Sequence, residues 1–242
     1  MCIRDSPNGM RPRLTWHGLG IMGSSEEIDV WAEEEKSEKE DPGINLDSAI
    51  LNGGLDSLYL EMLTWVEELQ VGKFPDPEPR RLHKAAVNHQ RPVFFAEPDM
   101  DDELWAEYLG REAKAMTKPW KLLRIVFTSR IWRKTIKKMR KNVVEQPPRE
   151  PDGLQAASAL AATWWSLNRE NSDAELSSEK DLRFAARLRG GLAKLRQDHG
   201  SEAVLLVPIQ QAWRESMLNA LNSNPKPEES SSLVVASGVE EE

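Results

Sequence analysis

The sequence predicts an α/β fold: a small, mostly parallel sheet of about four strands, many covering helices, and a helical insertion between the third and fourth strands. Three observations carry this. Val93-Phe94-Phe95 and Val204-Leu205-Leu206-Val207 are continuous apolar runs, as expected of strands covered on both faces. Longer segments place apolar residues at helical spacing, as in Leu182, Ala185, Leu188, Leu192 and Leu195. The chain has 242 residues, 39% apolar, with Cys 1 and Trp 9, enough for a core and unlike a collagen-like, disulfide-stapled or disordered protein.

In chain order, strands are expected at Leu14 to Trp16, Leu58 to Leu60, Pro92 to Ala96 and Ala203 to Pro208. Ser24-Ser25-Glu26-Glu27 supplies a cap and early acids for the first helix. An acidic stretch, Glu33 to Gly43, then runs into a Pro42-Gly43 stop. Leu63 to Val71 and Arg80 to Gln90 read as helices joined by a stiff extended connector, Phe74-Pro75-Asp76-Pro77-Glu78-Pro79. Further helices are expected over Asp99 to Met116, Trp120 to Lys141, Leu154 to Leu167, a segment capped by Ser178-x-x-Asp181, and Gln210 to Leu221. Residues 11–222 thus form one domain with an insertion at about 113–170, and 223–242 read as a solvated acidic tail. Met1-Cys2-Ile3-Arg4-Asp5-Ser6 resembles a translated adapter scar, so residues 1–10 are set aside and the body is left without a thiol.

The formal charge of −8 conceals a segregation. Between Ala113 and Val144 lie 11 Lys+Arg and no acid, so the remainder carries −19. Leu123, Val126 or Phe127, Ile131 and Met139 mark one face of this helix, and Lys121, Arg124, Arg133, Lys134, Lys137, Lys138 and Lys141 fill much of the rest. The pattern suits an anionic membrane surface. The more ordinary reading of it is an amphipathic helix whose basic face meets the protein's own acidic surface. Nucleic acid is not the expected partner, given the negative total and no recognisable module. No stretch approaches the ~20 apolar residues of a spanning helix, and a cytoplasmic protein is expected.

Gly18-Leu19-Gly20-Ile21-Met22-Gly23 matches the G-x-G-x-x-G of dinucleotide loops, making Gly18, Gly20 and Gly23 the candidate cofactor-binding residues. About 20 residues on, however, Lys39-Glu40-Asp41-Pro42-Gly43 is turn rather than strand, and a plain glycine-rich turn explains the run as well. Glu61 and Glu97 follow apolar runs, at the edge where open α/β sheets bind ligands, although Glu97-Pro98-Asp99-Met100-Asp101 reads more simply as a helix N-terminus. The four histidines, His17, His83, His89 and His199, form no zinc motif.

Taken in order, these pieces resemble the TraB/PrgY family, related to the Tiki proteases and ChaN-like folds. Gly18 to Ser24 stands where that family has a G-T-x-H-V-S turn, Leu60-Glu61-Met62-Leu63 is similar to its V-E-L-D run, and Ala96-Glu97-Pro98 replaces G-D-R. Trp120-Lys121-Leu122-Leu123 and Glu179-Lys180-Asp181 match later motifs, and Pro208-Ile209-Gln210-Gln211 stands for G-x-G-H. The resemblance implies a vestigial hydrolase site at Ile21, Glu61, Glu97, Glu179, Asp181 and Gln211. Both family histidines are replaced, at Ile21 and Gln211, by side chains that serve a metal poorly or not at all. The expected protein is therefore a non-catalytic domain without a cofactor that binds a protein, peptide or small ligand. The alternatives are the anionic-surface module and a nucleotide enzyme.

Overall fold

The computed structural model describes residues 15–52, 54–65, 77–119, 127–142, 152–171 and 173–233. The chain is mostly helical with a small parallel sheet. Its elements are β1 (Gly18–Ile21), α1 (Glu27–Glu40), α2 (Ile44–Leu51), α3 (Gly54–Thr64), α4 (Pro77–Asn88), β2 (Val93–Phe95), α5 (Glu103–Met116), α6 (Thr128–Asn142), α7 (Asp152–Asn171), α8 (Ala174–His199), a 3-10 turn (Gly200–Glu202), β3 (Leu205–Leu206), α9 (Gln211–Asn222) and β4 (Ser232–Leu233). The described residues fall into two compact units, one within 32–65 and 107–177, the other within 15–31, 77–106 and 178–233.

The second unit holds the sheet, in the order β3-β1-β2-β4. β1 pairs parallel with β2 (Leu19 with Val93, Ile21 with Phe95) and with β3 (Gly18 with Leu205), while β4 adds antiparallel along β2. Side chains alternate across β1. Leu19 and Ile21 join Trp16, Ala86, Val93 and Phe95 in a buried cluster on one face, with Leu82 of α4 packed against it. On the other face Gly18 and Gly20 let α8 approach. A Cβ on Gly18 would stand 2.8 Å from Leu195, and one on Gly20 would stand 2.9 Å from Leu188. Gly191 gives the same clearance from the helix side, where an added Cβ would lie 2.8 Å from Phe94. Glycine in a helix interior costs about 1 kcal/mol relative to Ala, which this close packing offsets.

The first unit is helical among its described residues. Leu63, Trp132, Leu160 and Leu167 are its buried centre, with Leu55, Leu58, Tyr59, Met62, Ile131, Ile136 and Trp164 packed around them. Tyr59 stacks on Trp164 at 5.4 Å, and the Trp164 indole donates to Asp56 at 2.5 Å.

Four expectations need correction. Leu58 to Leu60 is not a strand but the middle of α3, because Leu55, Leu58, Tyr59, Met62 and Leu63 recur at three and four and face one cluster. The first strand starts at Gly18 rather than Leu14, and Leu14 itself lies outside the described residues. Pro77-Glu78-Pro79 opens α4 instead of continuing an extended connector, since proline is tolerated in a first turn; the connector's earlier residues lie outside the described ones. α8 begins at Ala174, four residues ahead of Ser178, with Asp173 accepting the Glu175 amide at 3.2 Å. The expected helix over Leu63 to Val71 falls largely outside the described residues.

Residues 224–233 also depart from a solvated tail. They run back over the sheet: the Glu228 amide donates to the Ala186 carbonyl at 3.0 Å, and the Phe95 amide to the Ser231 carbonyl at 3.1 Å. Asn224, at φ 53, turns the chain out of α9 toward this strap.

Candidate functional site

Parallel pairing puts the carboxyl ends of β1, β2 and β3 at one edge of the sheet. The Ala96 amide donates to the Ile21 carbonyl at 2.8 Å and the Glu97 amide to the Gly23 carbonyl at 3.2 Å, so the first residues beyond β1 and β2 stay side by side. Ile21 and Glu97 are therefore neighbours at this edge. Gln211 opens α9, beyond the carboxyl end of β3. Asp181, in α8, is 6% exposed and accepts the Trp213 indole N–H at 2.7 Å. Phe184 lies between Trp105 (5.8 Å) and Trp213 (5.7 Å). Glu179 is an exposed residue of α8.

Glu61 belongs to the other unit. It is an exposed residue of α3 in the helical unit, because the strand expected to carry it to the sheet edge is a helix. Ile21 is 3% exposed and serves the core. Among the described residues no three His, Cys, Asp or Glu side chains are grouped to hold a metal. His17 instead stacks on His199 at 4.5 Å and accepts the Val204 amide at 3.0 Å. His83 meets Trp31 edge-on at 6.2 Å; burial, helped by the Lys84 charge, lowers its pKa and favours the neutral ring.

The glycine run lies largely inside the sheet. Gly18 and Gly20 lie inside β1, their missing side chains required by α8, and only Gly23 falls in the turn, where a Cβ would meet the Glu27 carboxylate. A dinucleotide loop needs its glycines between strand and helix.

What occupies the edge is a polar network that no local motif announces. Arg187 is 5% exposed. Its guanidinium donates to the Phe95 carbonyl (3.3 Å), the Glu229 carbonyl (3.1 Å) and Ser231 Oγ (3.1 Å), with Glu228 Oε1 at 3.7 Å. One turn earlier, Arg183 pairs with Asp102 at 2.5 Å and Glu228 at 3.0 Å. Asp99 accepts from the Ser25 hydroxyl (2.6 Å) and amide (3.2 Å) and hydrogen-bonds Ser231 Oγ. The local signal is an arginine pair four apart, but its partners lie 41 (Arg187 to Glu228) to 92 residues away in sequence.

Burial by itself would raise the pKa of Asp99. The hydrogen bonds from Ser231 and Ser25, together with the Arg187 charge, outweigh it and hold the carboxyl below its ordinary value. Asp102 is also lowered: burial opposes, and Arg183 with the Trp105 amide prevails. Groups with depressed folded-state pKa values contribute stability that is complete above the unfolded value and is lost as pH falls through the folded one. Thermal unfolding should therefore hold steady from neutrality toward the ordinary Asp range of about 3.9 and fall below it. Asp99→Asn should flatten that acid limb; an unchanged limb would remove Asp99 as its cause.

In the helical unit a second surface stands out. α6 puts Trp132, 3% exposed, into the core with Ile131 and Ile136 beside it. Arg130, Arg133, Lys134, Lys137, Lys138, Arg140 and Lys141 are all exposed, and none forms an ion pair with another described residue. Exposed Phe127 lies at the start of the helix, its carbonyl accepting the Arg130 and Ile131 amides. Lys121 and Arg124 lie outside the described residues. The apolar face is thus committed to the core, and the cationic face meets no acid among the described residues.

Fold and sites define a protein with a small α/β sheet unit and a helical unit that carries a basic face. No known family, curated protein or solved structure matches the chain. Among the described residues no helix is long and apolar enough to cross a membrane.

Proposed function

We propose that this chain is a non-catalytic binding protein that engages an anionic membrane surface through α6. The observation that carries the reading is the bank of seven exposed cations on one short helix, with no acidic partner among the described residues. An isolated charged face on a soluble helix is common. A face with no acid of its own to neutralise it is less so, in a chain whose remainder has acids in excess. Because Trp132 and its neighbours are held in the core, attachment is by charge at the lipid headgroups, with Phe127 as the one aromatic at the helix start. Each Lys or Arg at such a surface contributes about 1 kcal/mol, so five that face it together give about three to four powers of ten in partitioning.

The test is co-sedimentation of the protein with vesicles rich in phosphatidylserine and with vesicles of phosphatidylcholine alone. Binding should be confined to the anionic vesicles. It should fall steeply between about 0.1 M and 1 M salt, as the Debye length shrinks from about 10 to 3 Å. Equal binding to both vesicles, or tighter binding to duplex DNA than to either, would contradict the assignment.

A second reading keeps the TraB-like resemblance: a vestigial hydrolase domain that binds a ligand at the sheet edge. It is favoured by one observation, that Ile21, Glu97 and Gln211 all follow or end strands at the same edge. Glu61 is outside this reading, and the edge as it stands is filled by the Arg187 network. Purified protein that holds stoichiometric zinc or manganese and cleaves peptides would replace both readings with an enzyme.

A further inference from the structure

The strap at 228–233 lies on the sheet in the way a bound peptide does. It adds antiparallel to β2, with Phe94 opposite Ser232, and it exchanges backbone hydrogen bonds with both β2 and α8 through Phe95 and Ala186. Its side chains are read as well. Glu228 is held by Arg183 and Arg187, Ser231 by Asp99 and Arg187, and Lys194 donates to Ser232 at 3.1 Å. Gly190 lies directly under this path: a Cβ there would collide with the Glu228 backbone carbonyl. The chain thus provides a smooth floor in mid-helix, an arginine pair for one carboxylate, and, along β2, a sheet edge that the strap alone pairs by main-chain bonding. These are the parts of strand-addition recognition, in which backbone pairing supplies affinity and alternate side-chain contacts supply selectivity.

We infer that β2 and α8 form a docking groove for an extended acidic peptide carrying Glu and, three residues later, Ser, a groove that the chain fills with its own residues 228–233. The strap itself, seated in the groove, argues for that occupant, since any peptide of its pattern meets the same arginine pair, the same aspartate and the same strand edge. β4 is two residues long, and residues 224–231, which lead to it from the turn after α9, have no regular secondary structure. The tether gives the strap an effective concentration of order millimolar, so a peptide in trans competes poorly until the strap is weakened. The groove belongs to the sheet unit.

The experiment uses the full-length chain and a labelled synthetic peptide with the sequence of residues 226–235. Anisotropy is recorded for the wild type and for a Glu228→Lys, Ser231→Asp double variant, which sets like charges against the arginine pair and against Asp99. The double variant should bind the peptide at least about tenfold more tightly than the wild type, and a peptide with its own Glu228→Lys change should not bind. No uptake by a folded double variant overturns the inference. So does a variant that no longer folds, since the strap would then be part of the core. Dimers formed by strap exchange between copies, without peptide uptake, overturn it in favour of self-association. Hydrogen exchange of the wild type gives an independent check: the Glu228 and Phe95 amides should exchange ahead of the amides pairing β1 with β2. Exchange of all of them together contradicts a displaceable strap.

Discussion

Arg187→Met is expected to destabilise the sheet unit by about 3–5 kcal/mol, the range for breaking a buried, hydrogen-bonded charge network from one side. Arg187 is 5% exposed and donates to three backbone carbonyls, at Phe95, Glu97 and Glu229, as well as to Ser231 Oγ. Methionine fills similar volume but leaves those acceptors buried and removes one of the cations facing Glu228. The loss should appear as a lower urea midpoint with the α6 surface unaffected. Arg187→Lys should recover only part of it, because one ammonium cannot reproduce the planar fork that reaches β2 and the strap together. A change below about 1 kcal/mol would show that the network is ornamental to the fold.

The second large effect is on the helical unit. Trp132→Ala should cost about 3–5 kcal/mol, as for other buried Trp truncations. Trp132 is 3% exposed among Leu63, Leu160 and Leu167 and is the anchor that fixes which side of α6 looks outward. Its loss should lower both the unfolding midpoint and the affinity for anionic vesicles. Lys137→Ala, further along the same helix and exposed, should shift the midpoint by no more than about 0.5 kcal/mol. If the Trp132 variant keeps its midpoint, the assignment of faces on α6 is wrong.

Where the fold is legible in the sequence, the reason is local. Val93-Phe94-Phe95 and Leu205-Leu206 are strands because uninterrupted apolar residues can be covered on both faces. Pro42-Gly43 ends the acidic stretch because Gly43 adopts φ 99, which only glycine takes readily. Leu58-Tyr59-Leu60 misleads for the same local reason: three apolar residues in a row satisfy a strand template, and only the wider recurrence from Leu55 to Leu63 reveals the helix. The glycines of β1 resemble a nucleotide loop because a sequence pattern does not say whether a missing side chain makes room for a phosphate or for Leu188 and Leu195.

The candidate sites divide in the same way. The cationic face can be read from spacing alone, since all its residues lie on one helix. The edge network cannot, because Arg187 meets residues at and just beyond the end of β2 and others in a strap about 40 positions downstream. A charge in a long helix reads as solvated until the chain that covers it is known. The strap itself looks like a tail for that reason: its serines and glutamates are polar, and they pair with a polar edge rather than with a hydrophobic core.

The role of α6 as a membrane-binding surface stands or falls on removing charge from it and leaving everything else in place. Lys137, Lys138 and Lys141 are exposed, without an ion-pair partner among the described residues, and outside the core cluster. Changing all three to Gln should leave the unfolding midpoint unaltered and weaken binding to phosphatidylserine vesicles by about 100-fold, at about 1 kcal/mol for each charge. Binding of the triple variant equal to that of the wild type, at the same salt, would contradict that role.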